Sequence, residues 1–175
     1  MTEVIHISVD ADGIATLLFD RTDSNMNIMD MKFMDEIAAA IERLANDATI
    51  KGAIFTSGKP VFAAGADLKE MEASLDRAED LPVAERLKLN ASLSRLLRRM
   101  ETCGKPVACA INGTALGGGT EIALACHYRV VSDAKGIQLG LPEVQVGLLP
   151  GGGGTQRVSR LVGIQAAMPV VMEGQ

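Results

Sequence analysis

Histidine, cysteine and long apolar runs are all scarce in this chain of 175 residues. The two histidines are His6, in an alternating strand pattern, and His127, at the expected end of a helix. Both positions read as structural, which disfavours Ser-His or Cys-His nucleophilic chemistry. Cys103, Cys109 and Cys126 are odd in number and lack CxxC spacing. They read as reduced, buried thiols, and this argues against a disulfide framework or a zinc site. No apolar stretch approaches the length that spans a bilayer, and Glu3, His6, Asp10 and Asp12 interrupt the N-terminus where a signal peptide needs a hydrophobic run. A cytoplasmic location is the expectation, or a mitochondrial matrix or peroxisomal one in a eukaryote, although no transit peptide is seen. Excess positive charge is missing too. The net charge is −5, so no basic footprint points to nucleic acid. Arg95, Arg98 and Arg99 cluster on an expected helix and read as a solvated face.

Several glycine motifs are also absent. The runs at 117–119 and 151–154 lack the Gly-Lys-Ser/Thr of a P-loop, and neither has the spacing of a dinucleotide fingerprint. There is no Gly-x-Ser-x-Gly nucleophile elbow. Neither histidine has a convincing partner ligand, so no metal site is expected.

What is present is the material of one globular domain, 47% hydrophobic and 22% charged, long enough to bury a core. Residues 4–9 and 14–19 alternate around the turn-forming DADG at 10–13, the pattern of a β-hairpin. Asp30 can cap a helix whose apolar stripe is Phe33, Met34, Ile37, Ile41 and Leu44, ending near Asn46. Residues 52–57 and 106–111 read as buried strands. After Asp67 an acidic, poorly periodic helical run fits either a flap over a site or a solvated segment. From Pro82, the stripe Leu89, Leu93, Leu96, Leu97 and Met100 predicts one long helix ending near Gly104. Strands are expected at 128–132 and 137–139, and a helix at 155–161, started by Thr155 and ended by Gly163. Phe55 precedes Ala66 by the same eleven residues that separate Val107 from Gly118, a hint of a repeated ββα unit. Alternating strands and helices predict an α/β layered domain.

The stretch with most chemical content is NGTALGGGTE at 112–121, the joint between a strand and a helix. Glycine lets a ligand approach the backbone, and the first amides of a helix are unpaired at the positive end of its dipole. Glu121, three residues after Gly118, falls in the first helical turn. Donors for a negative oxygen beside an acid or base are what polarising a carbonyl requires. Glu143, in the loop GLPEV at 140–144, is the second carboxylate of interest. Taken alone, Glu121 could equally be a charge stabilised by the helix dipole and Glu143 an exposed loop acid.

Three motifs in register, FAAGADL at 62–68, NGTALGGGTE at 112–121 and GLPEVQVGLLPGGGGTQR at 140–157, resemble the crotonase (enoyl-CoA hydratase/isomerase) superfamily. The third is similar to the version at the hydratase end of multifunctional fatty-acid β-oxidation α subunits. The resemblance runs from about the first strand to residue 175. It implies a crotonase-like spiral of ββα units and an acyl-CoA thioester substrate, with coenzyme A as part of the substrate and no other cofactor. By motif position, the amides of Ala66 and Gly118 would form an oxyanion hole, and Glu121 and Glu143 would be the hydratase base and acid. Ala64, Ala66, Asp67, Leu68, Lys69 and Gly118 would lie along the substrate and its CoA arm, with the loop at 25–28 nearby. The implied activity is enoyl-CoA hydration. Isomerisation, or acyl-CoA binding with weak catalysis, are the alternatives. Relatives continue into further C-terminal helices, so residues 1–175 are expected to be a single N-terminal domain of a longer protein. Its expected partners are further copies of itself or the other domains of a β-oxidation complex.

Overall fold

The computed structural model describes residues 3–174. β1 (Ile5–Val9) and β2 (Ile14–Phe19) pair antiparallel, as the alternation predicts. Asp10 Oδ1 accepts the amides of Asp12 and Ile14 at 3.0 and 2.8 Å, which fixes the turn between them. α1 (Met31–Asn46) is capped as expected, with Asp30 accepting the Phe33 amide at 2.8 Å. Its buried stripe includes Phe33, whose ring lies 4.5 Å from that of Phe19.

From there the chain repeats strand, strand, helix. The first unit is β3 (Gly52–Ser57), β4 (Val61–Ala63) and α2 (Leu68–Ala78). After α3 (Val83–Asn90) and α4 (Ser92–Glu101), the second is β5 (Val107–Ile111), β6 (Thr114–Leu116) and α5 (Gly118–Ala125). The third is β7 (Tyr128–Val131), β8 (Leu139–Gly140) and α6 (Gly154–Val162). A short 3₁₀ helix, Pro142–Val146, and a glycine loop precede α6, and α7 (Ile164–Met168) follows it. The first strand of every unit enters a five-stranded sheet of order β1-β2-β3-β5-β7, parallel from β2 onwards. The second strand enters a parallel three-stranded sheet, β4-β6-β8. This is the expected spiral, and it contains a third copy that the spacing in the sequence does not reveal. In the sheet, Phe55 lies opposite Cys109 and Ala53 opposite Val107, so the eleven-residue parallel is offset by two positions.

Four local expectations are corrected. The long helix predicted from Pro82 is interrupted at Ala91 (φ −91°, ψ 4°), leaving α3 with no buried residue and Leu89 48% exposed. Asn90 and Ser92, whose side chains compete for the backbone, flank the break, and the core stripe begins only at Leu93. β6 is a separate strand within the stretch expected only as a joint between strand and helix, because three residues inside a glycine-rich stretch carry too little pattern. The strand expected at 137–139 forms at 139–140, where β6 ends and supplies its partners. α6 starts at Gly154 after Gly153, without a side-chain cap from Thr155.

The core is one large cluster, in which Phe19, Phe33, Phe55 and Phe62 are fully buried, and a small second one of Leu141, Val158 and Ala167. The three cysteines are free and buried, as expected. Both histidines take structural bonds: His127 Nδ1 meets the Val107 amide at 3.1 Å, and His6 Nε2 the Asp20 carbonyl at 3.1 Å. On the solvated face, Arg99 forms an exposed bidentate pair with Glu42 of α1 at 2.8 and 2.9 Å. Among the described residues, no helix is long and apolar enough to cross a membrane.

Candidate active site

Ala63 of β4 pairs with Ala115 of β6, and three residues beyond each lie Ala66 and Gly118. They therefore occupy equivalent points past the ends of neighbouring parallel strands. Each follows a glycine with a left-handed backbone, Gly65 at φ +91° and Gly117 at φ +54°. Residues with a Cβ are strained there. The two turns touch: a Cβ added to Gly117 would lie 4.0 Å from the Gly65 Cα, and one on Gly65 would lie 3.4 Å from the Leu116 carbonyl oxygen.

Ala66 forms a parallel bridge with Met29, using the Gly65 carbonyl (2.9 Å from the Met29 amide) and the Asp67 amide (3.2 Å from the Met29 carbonyl). In such a bridge the central residue's own N–H points to the opposite side, here away from Met29. Gly118 opens α5, so its amide is one of the four that a helix start leaves without an intrahelical acceptor. Behind it, a Cβ on Gly118 would come within 2.8 Å of Met29 Sδ, so the loop at 27–29 packs directly under the joint. Asn27 holds that loop. It is fully buried, and its side-chain amide donates to the Phe19 carbonyl and Ser57 Oγ at 2.6 and 2.9 Å.

Of the residues expected along a CoA arm, Ala64 is half-buried and its amide donates to the Asn27 carbonyl at 2.9 Å. Asp67 is engaged as the cap of α2, accepting the amides of Lys69 and Glu70 at 3.0 and 3.1 Å. Ala66, Leu68 and Lys69 are exposed.

Glu121 is 1% exposed, in the first turn of a helix that is apolar elsewhere. Both carboxylate oxygens are gripped by the glycine loop: Oε2 accepts from the Gly152 amide at 2.8 Å and Oε1 from the Gly154 amide at 2.7 Å. Burial pushes its pKa up, opposed by the amides of Gly154 and Gly152 and by the cation of Arg157. Each oxygen has a second lone pair, so the two bonds leave acceptor capacity for a proton.

Glu143 comes to the same turn from the 3₁₀ helix. A Cβ on Gly117 would meet its Oε1 at 2.8 Å, so this carboxyl packs on the glycine that precedes Gly118. Its Oε2 is the one buried side-chain oxygen or nitrogen without a hydrogen-bond partner among the described residues. Burial raises its pKa, its own backbone amide opposes this, and the charge of Glu121 raises it further. The two carboxyls are thus electrostatically coupled on either side of the joint.

Four residues of this centre carry no sequence signal for the contacts they make here. Met29, Gly152, Gly154 and Arg157 meet Gly118 or Glu121 only through the fold. The glycine run at 151–154, read as a turn, was the available clue. No group of three or more histidine, cysteine or acidic side chains that could hold a metal ion occurs among the described residues.

The sequence and the fold have known counterparts. The sequence pattern described as enoyl-CoA hydratase/isomerase matches residues 10–175. The chain belongs to the enoyl-CoA hydratase/isomerase family. It is 42% identical over 176 residues to the fatty acid oxidation complex subunit alpha of Shewanella amazonensis, covering 100% of this chain and 24% of that protein. The protein of the same name from Idiomarina loihiensis is 42% identical over 165 residues, covering 94% of this chain and 22% of its own length. The chain thus spans about a quarter of the length of these curated relatives. The crystal structure of an enoyl-CoA hydratase from Bacillus anthracis superimposes with a TM-score of 0.82 at 28% identity, covering 99% of this chain and 64% of that one.

Proposed function

We propose that the family member described here hydrates trans-2-enoyl-CoA thioesters to 3-hydroxyacyl-CoA. The observation that carries this reading is the pair of carboxyls, buried Glu121 and half-buried Glu143, flanking a joint with outward-turned amides at Ala66 and Gly118. In this reading the thioester carbonyl oxygen is held by those two amides. Glu121, oriented by two amide bonds, takes a proton from water as the hydroxyl oxygen bonds to C3. The C2=C3 electrons move towards the carbonyl, and the resulting enolate oxygen gains negative charge beside the helix start. One such preorganised donor is typically worth about 3 kcal/mol in the transition state. Glu143, with an oxygen buried away from any cation, carries the proton that C2 receives. Proton and hydroxide together account for one water, and the two carboxyls then re-exchange a proton.

Isomerisation of a double bond needs only one acid–base group beside the same oxyanion hole. Two carboxyls at one turn favour hydration, with isomerisation as a side activity. The acyl-CoA arm would run past Ala64, Ala66, Asp67, Leu68 and Lys69, and no further cofactor enters the chemistry. Association with other β-oxidation domains belongs to the same proposal and is supported by the names of the relatives.

The test pairs a trans-2-butenoyl-CoA hydration assay with calorimetry using butanoyl-CoA. Turnover together with binding is expected. Binding without turnover would reassign the chain as an acyl-CoA binder, and neither would remove the reading.

A further inference from the structure

Arg157 has no place in the chemistry above, yet it sits behind the loop that grips Glu121. The loop is a run of four glycines, 151–154, the most freely rotating backbone a chain can have. Its amides at 152 and 154 must nevertheless point at two oxygens of one carboxylate, at 2.8 and 2.7 Å. Something has to hold the peptide between them. The Gly152 carbonyl, on the opposite side of the loop from Glu121, accepts from Arg157 Nη1 at 2.5 Å. The same guanidinium donates through Nε to Glu101 Oε1 at 2.7 Å, so the end of α4 fixes where it stands. Its contact is close enough that a Cβ on Gly153, which has φ +95°, would meet Arg157 Nη1 at 2.6 Å.

We propose that Arg157, braced by Glu101, is a positioning residue for Glu121: it locks the Gly152–Gly153 peptide and thereby aims the two amides that orient the carboxylate. The inference rests on the assignment of Glu121 as the base. Geometry carries it, since both ends of one planar guanidinium are tied to fixed groups on different elements, a role that lysine's single ammonium cannot fill. Electrostatics agrees. The charged groups facing Glu121 are Arg157 from α6 and Glu143 from the 3₁₀ helix, with Glu101 of α4 behind Arg157. Burial raises the Glu121 pKa, whereas the two amides and Arg157 hold it down, so loss of Arg157 removes a brake in one direction only.

The experiment compares Arg157→Gln, Arg157→Lys and Glu101→Gln with wild type, and uses Arg160→Gln, an exposed position on the same helix, as the charge control. In trans-2-butenoyl-CoA hydration, kcat should fall about 10- to 100-fold in Arg157→Gln with KM nearly constant, the scale expected when a catalytic group is misplaced by about 1 Å. The acidic limb of kcat/KM should move to higher pH, because a base with a raised pKa is ionised less at a given pH. Arg157→Lys should recover the limb more than the rate, and Glu101→Gln should lie between wild type and Arg157→Gln. A ¹³C NMR titration of the Glu121 carboxyl in the free protein should move the same way without any substrate. A wild-type rate and pH profile in Arg157→Gln, with only a lower Tm, would overturn the proposal and leave a structural tie between α4 and α6. If wild type itself shows no hydration, the reading of the function fails separately, and the NMR titration decides the inference: an unmoved Glu121 in Arg157→Gln, or in Glu101→Gln should the first not fold, defeats it.

Discussion

The second and first repeats of this fold use the same device to opposite ends. In β5–β6–α5 the left-handed glycine leads into a helix with six buried residues, Glu121 among them. In β3–β4–α2 the same turn leads into a helix with only Ala78 buried, followed by α3 with none. The difference lies in one contact. Gly119 lets α5 press against β4, where a Cβ would come within 2.7 Å of the Ala63 Cβ and 2.8 Å of its carbonyl oxygen. α2 has no such seat; its start is fixed by the Asp67 cap, and Leu68 and Leu75 are about half exposed at 53% and 50%. One turn therefore leads to a buried carboxyl, while its twin leads to a largely exposed helix.

The sharpest way to break this contrast is Gly119→Ala. The added methyl has backbone in its path, and overpacking of this kind costs about 1–3 kcal/mol or more, which urea unfolding would register. Hydration should fall with it, since Glu121 rides on the displaced helix.

A smaller effect, of opposite sign, is expected at Glu143→Gln. Glu143 has a pKa raised above the ordinary carboxylate value of 4.5, chiefly by burial, so its ionised form is the one the fold disfavours. Well below that value both side chains are neutral and stabilities should match. As pH rises through the raised pKa the wild type loses stability and the glutamine variant does not. A gain of about 1 kcal/mol at alkaline pH, typical of relieving a strained functional site, should appear in thermal unfolding while hydration is lost. Equal stabilities at every pH would remove the buried-charge account of this residue.

Smallest of all should be Leu75→Ala in α2, within about 0.5 kcal/mol of wild type, because its side chain is already half in water. A cost as large as that of Gly119→Ala would show that α2 is packed like α5 and would erase the comparison.

Local signals explain what could be read in advance. The hairpin, the Asp30 cap and the glycine joint each depend on residues within a few positions of one another. Motif resemblance extended this to the ββα spiral, and it proposed four site positions, of which Ala66 and Gly118 follow two touching turns and Glu143 packs on Gly117. Long-range partners were illegible for a physical reason. Gly152 and Gly154 reach Glu121 across 31 and 33 residues, and no periodicity encodes which amide meets which carboxylate. Arg157 reads as an ordinary helical arginine until the loop folds under it. The break at Ala91 was hidden because Leu89 continues the helical spacing of the core stripe but faces solvent.

The most direct test of the central claim is the turnover number of Glu121→Gln for trans-2-butenoyl-CoA, measured beside wild type and with folding checked by circular dichroism. Loss of a positioned general base predicts a fall of about 100- to 10,000-fold with the fold intact. Near-normal turnover in that variant would contradict the account, since the carboxyl that the glycine loop grips would then have no part in the chemistry.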